Sequence, residues 1–218
     1  MNKGLIIFAR EPVPGRVKTR LAREVGDQTA AELYAAMTRD VLDTTAALVD
    51  VRRMLFWAAE NNGVPPANDY PGLDLFPQQG DTLGDRMFDA FTRAFQGGPE
   101  ACCIIGTDSP DLPLEHIVKA FDLLDREDID AVFGPAEDGG YYLLGLKQAW
   151  EGFFDFIPWS TRNVLDSSLE RSRHLGLRTA LLPEWYDIDT RDDLLRLIAS
   201  GEDSAPAVRG TARRLLRV

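Results

Sequence analysis

Arg10, Arg16, Lys18, Arg20 and Arg23 share the stretch 10–23 with a single acid, Glu11. They follow an apolar run at residues 4–9 and are threaded through a turn containing Pro12, Pro14 and Gly15. Two prolines and a glycine make a rigid turn. Arg16, Lys18 and Arg20 then project around the expected start of a helix, where unpaired backbone N–H groups and the helix dipole favour an anion. That is the chemistry of a phosphate cradle, with Arg10, Gly15, Arg16, Lys18 and Arg20 as its candidate residues. It is not a Walker loop, which needs glycine immediately before the lysine where this chain has Val17. The alternative is a basic, solvated helix start.

Three acidic loops match it. Asp108 lies just past the apolar run 101–105 and before a turn fixed by Pro110, so its carboxylate has little freedom. A hard divalent ion takes carboxylate oxygens and fills its other positions with water and substrate phosphates, which makes Asp108 a candidate metal ligand and catalytic residue. Asp138 precedes Gly139 and Gly140, a pair that admits a ligand close to the backbone, and would orient or deprotonate an acceptor hydroxyl. A tight turn is the plainer reading of this segment. Asp187 and Asp189 fall on one face of an extended segment, either able to supply a second metal carboxylate, and Thr190 is placed to cap the helix that follows.

Alternating strand-like and helix-like segments must position these loops. Strands are expected at 4–9, 53–58, 73–77, 101–106, 131–134, 141–146 and 179–182. Helical apolar stripes run through Leu33, Met37 and Val41, through Leu83, Met87, Phe91 and Phe95, through Ile117, Phe121 and Leu124, and through Leu165 and Leu169, with a last helix at 192–199. This pattern predicts one α/β domain over residues 1–200, a mostly parallel Rossmann-like sheet with helices on both faces, followed by a basic tail at 201–218. Ligands of such sheets bind beyond the carboxyl ends of the strands, where the charged loops fall.

With 218 residues, 44% of them hydrophobic, the chain is long enough to hold a core by packing alone. Its only cysteines, Cys102 and Cys103, are neighbours inside an apolar run, which excludes a disulfide scaffold and a cysteine zinc site. The net charge of −11 argues against a nucleic-acid partner. The apolar runs are far shorter than the roughly 20 residues of a membrane span, and Arg10 interrupts the first one too early for a signal-peptide core. The expectation is a cytoplasmic protein. His116 and His174 belong to helical patterns and join no acid or nucleophile constellation, and the G-x-S-x-G elbow of serine hydrolases is missing from the sequence.

Six ordered motifs add a resemblance: Phe8-Ala9-Arg10-x-Pro12-x-Pro14-Gly15-x-x-Lys18-Thr19-Arg20-Leu21, Gln79-Gly80-x-x-Leu83-Gly84-x-Arg86-Met87, Gly106-x-Asp108-Ser109-Pro110-x-Leu112, Asp138-Gly139-Gly140-Tyr141-Tyr142, Trp159-Ser160-Thr161 and Asp187-x-Asp189-Thr190-x-x-Asp193-Leu194. Together they resemble the bacterial nucleotide-diphospho-sugar transferase family with a glycosyltransferase-A-type fold, which is similar to the molybdopterin nucleotidyltransferases and the 2-phospholactate guanylyltransferases. The resemblance implies that the loop 10–20 holds nucleotide phosphates and that Gln79, Gly80 and Gly84 contact the base or ribose. It places Mg²⁺ or Mn²⁺ on Asp108 and Asp189, and has Gly139, Gly140, Tyr141, Trp159 and Ser160 line the acceptor side. Two departures are visible: Ala9-Arg10 and two prolines replace the double glycine of the sugar nucleotidyltransferase loop, and Ser109-Pro110 replaces a strict Asp-x-Asp. The expected function is metal-dependent glycosyl transfer from a nucleotide-diphospho-sugar to a small-molecule acceptor, with Lys18, Asp108 and Asp138 catalytic. Nucleotidyl transfer from a nucleoside triphosphate, with release of pyrophosphate, is the alternative. A non-catalytic nucleotide-binding module is a further one.

Overall fold

The computed structural model describes residues 1–201 and 204–216. Seven strands form one sheet: β1 (Lys3–Arg10), β2 (Val51–Ala58), β3 (Asp74–Pro77), β4 (Ala101–Ile105), β5 (Ala131–Pro135), β6 (Tyr141–Leu146) and β7 (Thr179–Leu181). Their order across the sheet is β3-β2-β1-β4-β6-β5-β7. Neighbours pair in parallel except along β6, which runs antiparallel to both β4 and β5. The sheet is mostly parallel, as expected, and is made mixed by β6. A five-residue turn, closed by Ala136 N–H donating to the Gly140 carbonyl at 3.0 Å, makes β5 and β6 a hairpin instead of a crossover.

The helices are α1 (Thr19–Val25), α2 (Asp27–Thr45), α3 (Leu83–Gln96), α4 (Leu114–Leu124), α5 (Val164–His174), α6 (Arg191–Ala199) and α7 (Pro206–Leu216). Alternation along β1 splits its side chains between two layers. Leu5, Ile7 and Ala9 pack with Val41 of α2 and with Ile117 and Phe121 of α4, while Ile6 packs with Met87, Phe91 and Ala94 of α3. Both faces are covered, so β4 carries an unbroken buried run, Ala-Cys-Cys-Ile-Ile. Cys102 and Cys103 are buried free thiols.

A satellite core extends outward from α2. Leu21, Leu33, Met37, Ile188, Leu194, Leu197, Val208 and Ala212 join α1, α6 and α7 into one apolar cluster. The expected basic tail at 201–218 contains the last of these helices. Pro206–Leu216 is a docked helix whose first N–H groups, at Ala207 and Val208, donate to the buried Asp40 carboxylate at 2.8 Å each. Arg209 is buried too, its guanidinium bonded to Ser204 O, Ile198 O and Ser200 Oγ. Arg213 is exposed, Arg214 reaches Glu32 at 3.3 Å, and Arg217 lies outside the described residues. Among the described residues, no helix is long and apolar enough to cross a membrane.

Candidate functional site

The loop after β1 is built from its own backbone. Glu11 N–H donates to Ala58 O, Val13 N–H to Glu11 O and Arg16 N–H to Val13 O, which winds the proline-rich segment into successive turns. Val17 then plugs the loop into α2, packing on Ala31 and Tyr34. Lys18 follows as the N-cap of α1 with φ +46°, a left-handed conformation rare for a side-chain-bearing residue and characteristic of functional positions. No side chain caps α1.

This conformation turns the Lys18 side chain inward. Its ammonium lies 2.6 Å from Asp108 Oδ1 and 2.9 Å from Asp189 Oδ1, and only 4% of the side chain is exposed. Burial alone would lower the pKa of the ammonium; the charges of Asp108 and Asp189 override it and hold the proton more tightly than in water. Arg20 stands 3.5 Å from the other Asp189 oxygen.

Each carboxylate is fixed by its own element. Asp108 follows β4, and its carbonyl accepts Ile188 N–H at 2.9 Å, tying the loop to the segment that carries Asp187 and Asp189. Asp189 sits one residue before Thr190, which caps α6 in a reciprocal box with Asp193, as the sequence predicts; Asp193 also accepts Asp189 N–H at 3.1 Å.

These residues open onto a cavity of about 450 Å³ walled by the ends of β1 and β4, the loop after β1 and the start of β6. Arg10, Arg16, Lys18, Arg20, Asp108, Tyr141 and Asp189 all line it, so the sequence brings the predicted phosphate loop and both predicted metal carboxylates to one place. Arg16 is drawn to one rim by Glu60 at 2.6 Å. Among the described residues no group of three or more His, Cys, Asp or Glu side chains is arranged to hold a metal. What is present is two partly exposed carboxylates converging on one cation. That donor set fits Mg²⁺ or Mn²⁺, which binds one or two carboxylates and completes its shell with substrate phosphates and water.

Other predicted residues do not reach the cavity wall. Gln79 is exposed and its amide oxygen accepts from Arg93. The inward residue is its neighbour Gln78, because adjacent residues leaving a strand point to opposite sides. Gly80 shapes the entry to α3: it has φ +131°, and a Cβ there would sit 2.6 Å from that of Asp85. Gly84 is a packing glycine, where a Cβ would stand 3.1 Å from Trp159, and this contact accounts for both residues. Gly15 has φ +77° and faces Asp27, outside the wall.

Asp138, Gly139 and Gly140 form the β5–β6 turn. Asp138 is exposed, and its Oδ1 accepts Gly140 N–H at 2.8 Å. Gly139 has φ +90° and a Cβ there would collide with the Arg162 carbonyl, so its side-chain-free character serves chain packing. Ser160 is exposed in a left-handed conformation. Of the expected acceptor residues, Tyr141 alone lines the cavity.

Two further participants, Tyr34 and Gln78, carry no sequence motif of their own, and a third, Asp187, belongs to the last motif. Tyr34 accepts Arg10 N–H and the Thr107 hydroxyl, both at 3.0 Å, and so clamps the ends of β1 and β4 together. Gln78 donates its amide hydrogens to Ala9 O at 3.1 Å and Phe56 O at 3.0 Å. Asp187 accepts the Ser109 hydroxyl at 2.7 Å and lines a second, smaller cavity that also touches Asp108 and Tyr142. Burial pushes its carboxyl up to about 6. His116 bonds the Tyr142 hydroxyl through Nδ1 at 2.9 Å and stacks edge-on against Trp185, a structural contact consistent with the absence of any role read for it.

A family model described as an uncharacterized protein conserved in bacteria (DUF2064) matches residues 41–161. The chain belongs to the DUF2064 family. A crystal structure from Desulfovibrio desulfuricans G20, described as a nucleotide-diphospho-sugar transferase, is 32% identical, with a TM-score of 0.86 over 99% of this chain and 97% of that one. The DUF2064 chain also shares its fold with CMP:2-keto-3-deoxy-manno-octonic acid synthetase complexed with CTP, at 10% identity and a TM-score of 0.57 over 90% and 97% of the two chains. A third likeness is 4-diphosphocytidyl-2C-methyl-D-erythritol synthase from Anaerococcus prevotii DSM 20548, at 13% identity and 0.57 over 89% and 93%. No curated protein matches.

Proposed function

We propose that this chain is a metal-dependent transferase that grips a nucleotide by its phosphates and passes a glycosyl group from a nucleotide-diphospho-sugar to a small acceptor. The observation that carries it is the convergence of Arg10, Arg16, Lys18 and Arg20 with Asp108 and Asp189 on one cavity at the carboxyl ends of β1 and β4. The 32%-identical relative supports the sugar-nucleotide donor.

In this reading the uncapped start of α1 and the arginines bind the diphosphate. Lys18, held by its left-handed backbone, places one cation at the bridging oxygen, where negative charge grows as the bond breaks. A divalent ion bound by Asp108 and Asp189 would supply further charge neutralisation on the diphosphate. The acceptor oxygen forms a bond to the anomeric carbon, the bond from that carbon to the phosphate oxygen breaks, and the nucleoside diphosphate leaves with the electron pair. The acceptor's proton passes to a base, for which Asp138 is the proposed residue.

One observation favours nucleotidyl transfer as a second reading. Asp138 is turned into its own hairpin, and the two acids that face the cavity are both paired with Lys18. An acceptor that arrives already ionised, such as a phosphate, needs no base: it attacks the α-phosphorus of a nucleoside triphosphate and pyrophosphate departs. The two readings separate in one assay. Calorimetric titration with UDP, GDP, CDP, ADP and the matching triphosphates, with Mn²⁺ and with EDTA, identifies the nucleotide. Release of nucleoside diphosphate from a nucleotide-sugar then supports the first reading, and release of pyrophosphate from a triphosphate supports the second. Equal binding with and without metal, unaltered in Asp108→Ala, would defeat both.

A further inference from the structure

We infer that Lys18 is the resident counter-cation of the Asp108–Asp189 pair, so that a divalent ion gains the two carboxylates only when a nucleotide's phosphates draw the ammonium away. The inference rests on the metal-dependent reading above and adds an order of events to it.

Three features support it. First, Lys18 Nζ contacts one oxygen from each carboxylate, at 2.6 and 2.9 Å, the two belonging to segments 81 positions apart in the chain. A divalent ion bound to the same two carboxylates needs oxygens at roughly 2.0–2.2 Å and would meet a like charge almost in contact, so the two cations compete. Second, the side chain of Lys18 is far less exposed than those of its partners, at 4% against 50% and 39%, so it is the sequestered member of the trio. Third, its base cannot withdraw. Val17 is buried against Ala31 and Tyr34, and the left-handed backbone at Lys18 fixes where the stem starts. The head is then free to exchange one anion for another only inside the cavity it lines. An ammonium has three N–H donors and two are used here, which leaves one for an incoming phosphate before the others are released.

The consequence is positive coupling between metal and nucleotide. By linkage, whatever factor the nucleotide adds to metal affinity, the metal adds to nucleotide affinity. Lys18 is thus a positioning residue for the metal as well as a phosphate contact.

The test is direct titration of the full-length protein with Mn²⁺, following free Mn²⁺ by electron paramagnetic resonance, first without nucleotide and then with CDP, UDP, GDP or ADP added singly. Lys18→Met is expected to bind Mn²⁺ alone about 5- to 150-fold more tightly than the unsubstituted protein, the usual span of a coupling between two sites. The unsubstituted protein is expected to regain that affinity when the right diphosphate is present, and Asp108→Asn to lose Mn²⁺ under both conditions. Lys18→Gln, which keeps a hydrogen-bond donor and removes the charge, gives the same comparison should the methionine variant fail to fold. Equal Mn²⁺ affinity of the unsubstituted and Lys18 variants without nucleotide, together with Mn²⁺ binding by the nucleotide-loaded protein, overturns the inference and leaves the metal-dependent reading standing. No Mn²⁺ binding by any protein with any of the four diphosphates overturns that reading and the inference together.

Discussion

Asp108 divides its labour between two sets of atoms. The carboxylate faces Lys18 and the cavity, while the carbonyl accepts Ile188 N–H and holds the α6 segment in place. Asp108→Asn keeps that carbonyl bond and leaves Asp189 on Lys18, so it is expected to lower the melting temperature only modestly and to lower kcat/KM by about 100-fold or more, the scale on which single electrostatic contacts act in such sites. Nucleoside diphosphate or pyrophosphate release measures the second effect and thermal unfolding the first; a large fall in melting temperature would refute the division. Gln78 supports a parallel argument. With both amide hydrogens given to Ala9 and Phe56 carbonyls, Gln78 has its oxygen left as an acceptor on a side chain that lines the cavity. Under the proposed function a ligand N–H, such as an amino or imino group of a base, would be its partner. Gln78→Leu is expected to weaken nucleotide binding about tenfold, the worth of one hydrogen bond with its orphaned carbonyls, in a calorimetric titration. The sequence singled out Gln79 and the cavity wall holds Gln78, because a glutamine's face is set by where the strand ends, and that end is a property of pairing with β2 and not of local residue types.

At the level of elements, α7 depends on one acid. Asp40 of α2 is 1% exposed and accepts both free N–H groups at the start of α7; burial pushes its carboxyl up while those two N–H bonds pull it down, and burial dominates. Asp40→Ala is expected to destabilise the fold by about 2 kcal/mol, at the upper end of cap losses, read as an earlier urea midpoint. At the far edge of the sheet, Arg178 binds Asp130 through both its backbone N–H and its guanidinium and joins β7 to β5. The hydrogen bond from the Arg178 side chain leads the forces that hold the Asp130 carboxyl down at about 2, with burial opposing it. A depressed acid contributes stability that is complete above its unfolded pKa, near 4, and is lost as pH falls through 2. Asp130→Asn should thus cost about 1 kcal/mol at pH 7, after screening of this partly exposed pair, and nearly nothing at pH 2; urea titrations at the two pH values check it. The strands were legible in the sequence because most are apolar runs ended within a few residues by charge, glycine or proline. The reversal of β6 was carried only by the tight-turn reading of the segment before it, since a run of apolar residues reads the same in either direction. The docking of α7 was not legible, because its buried face includes Arg209, satisfied by a serine and main-chain carbonyls that composition does not reveal.

Across the whole molecule, charge is sorted. The protein carries −11 overall, yet Arg10, Arg16, Lys18 and Arg20 gather at one cavity mouth. An anionic ligand is thus repelled by most of the surface and attracted by one opening, a field that raises encounter rates at the right place. The grouping was visible in the sequence because these cations sit within one loop. What the sequence left open is how far they are already neutralised. Lys18 is paired with both Asp108 and Asp189 and Arg16 with Glu60, while Arg20 touches Asp189 only at 3.5 Å. The exposed arginines, Arg16 and Arg20 at 68% and 72%, feel dissolved ions directly, whereas the buried lysine does not. Raising ionic strength from about 0.01 M to 0.1 M shortens the screening length from roughly 30 Å to 10 Å. The association rate of a nucleoside diphosphate, followed by stopped-flow fluorescence, should fall severalfold over that range, and an Arg16→Ala, Arg20→Ala double variant should bind more slowly at low salt with a flatter salt dependence. Dissociation should change less than association between the two salt concentrations, because Lys18, one of the groups proposed to hold the bound phosphates, is shielded from dissolved ions. A salt dependence confined to dissociation would place the electrostatic work inside the cavity instead, and the sorted surface would have no part in capture.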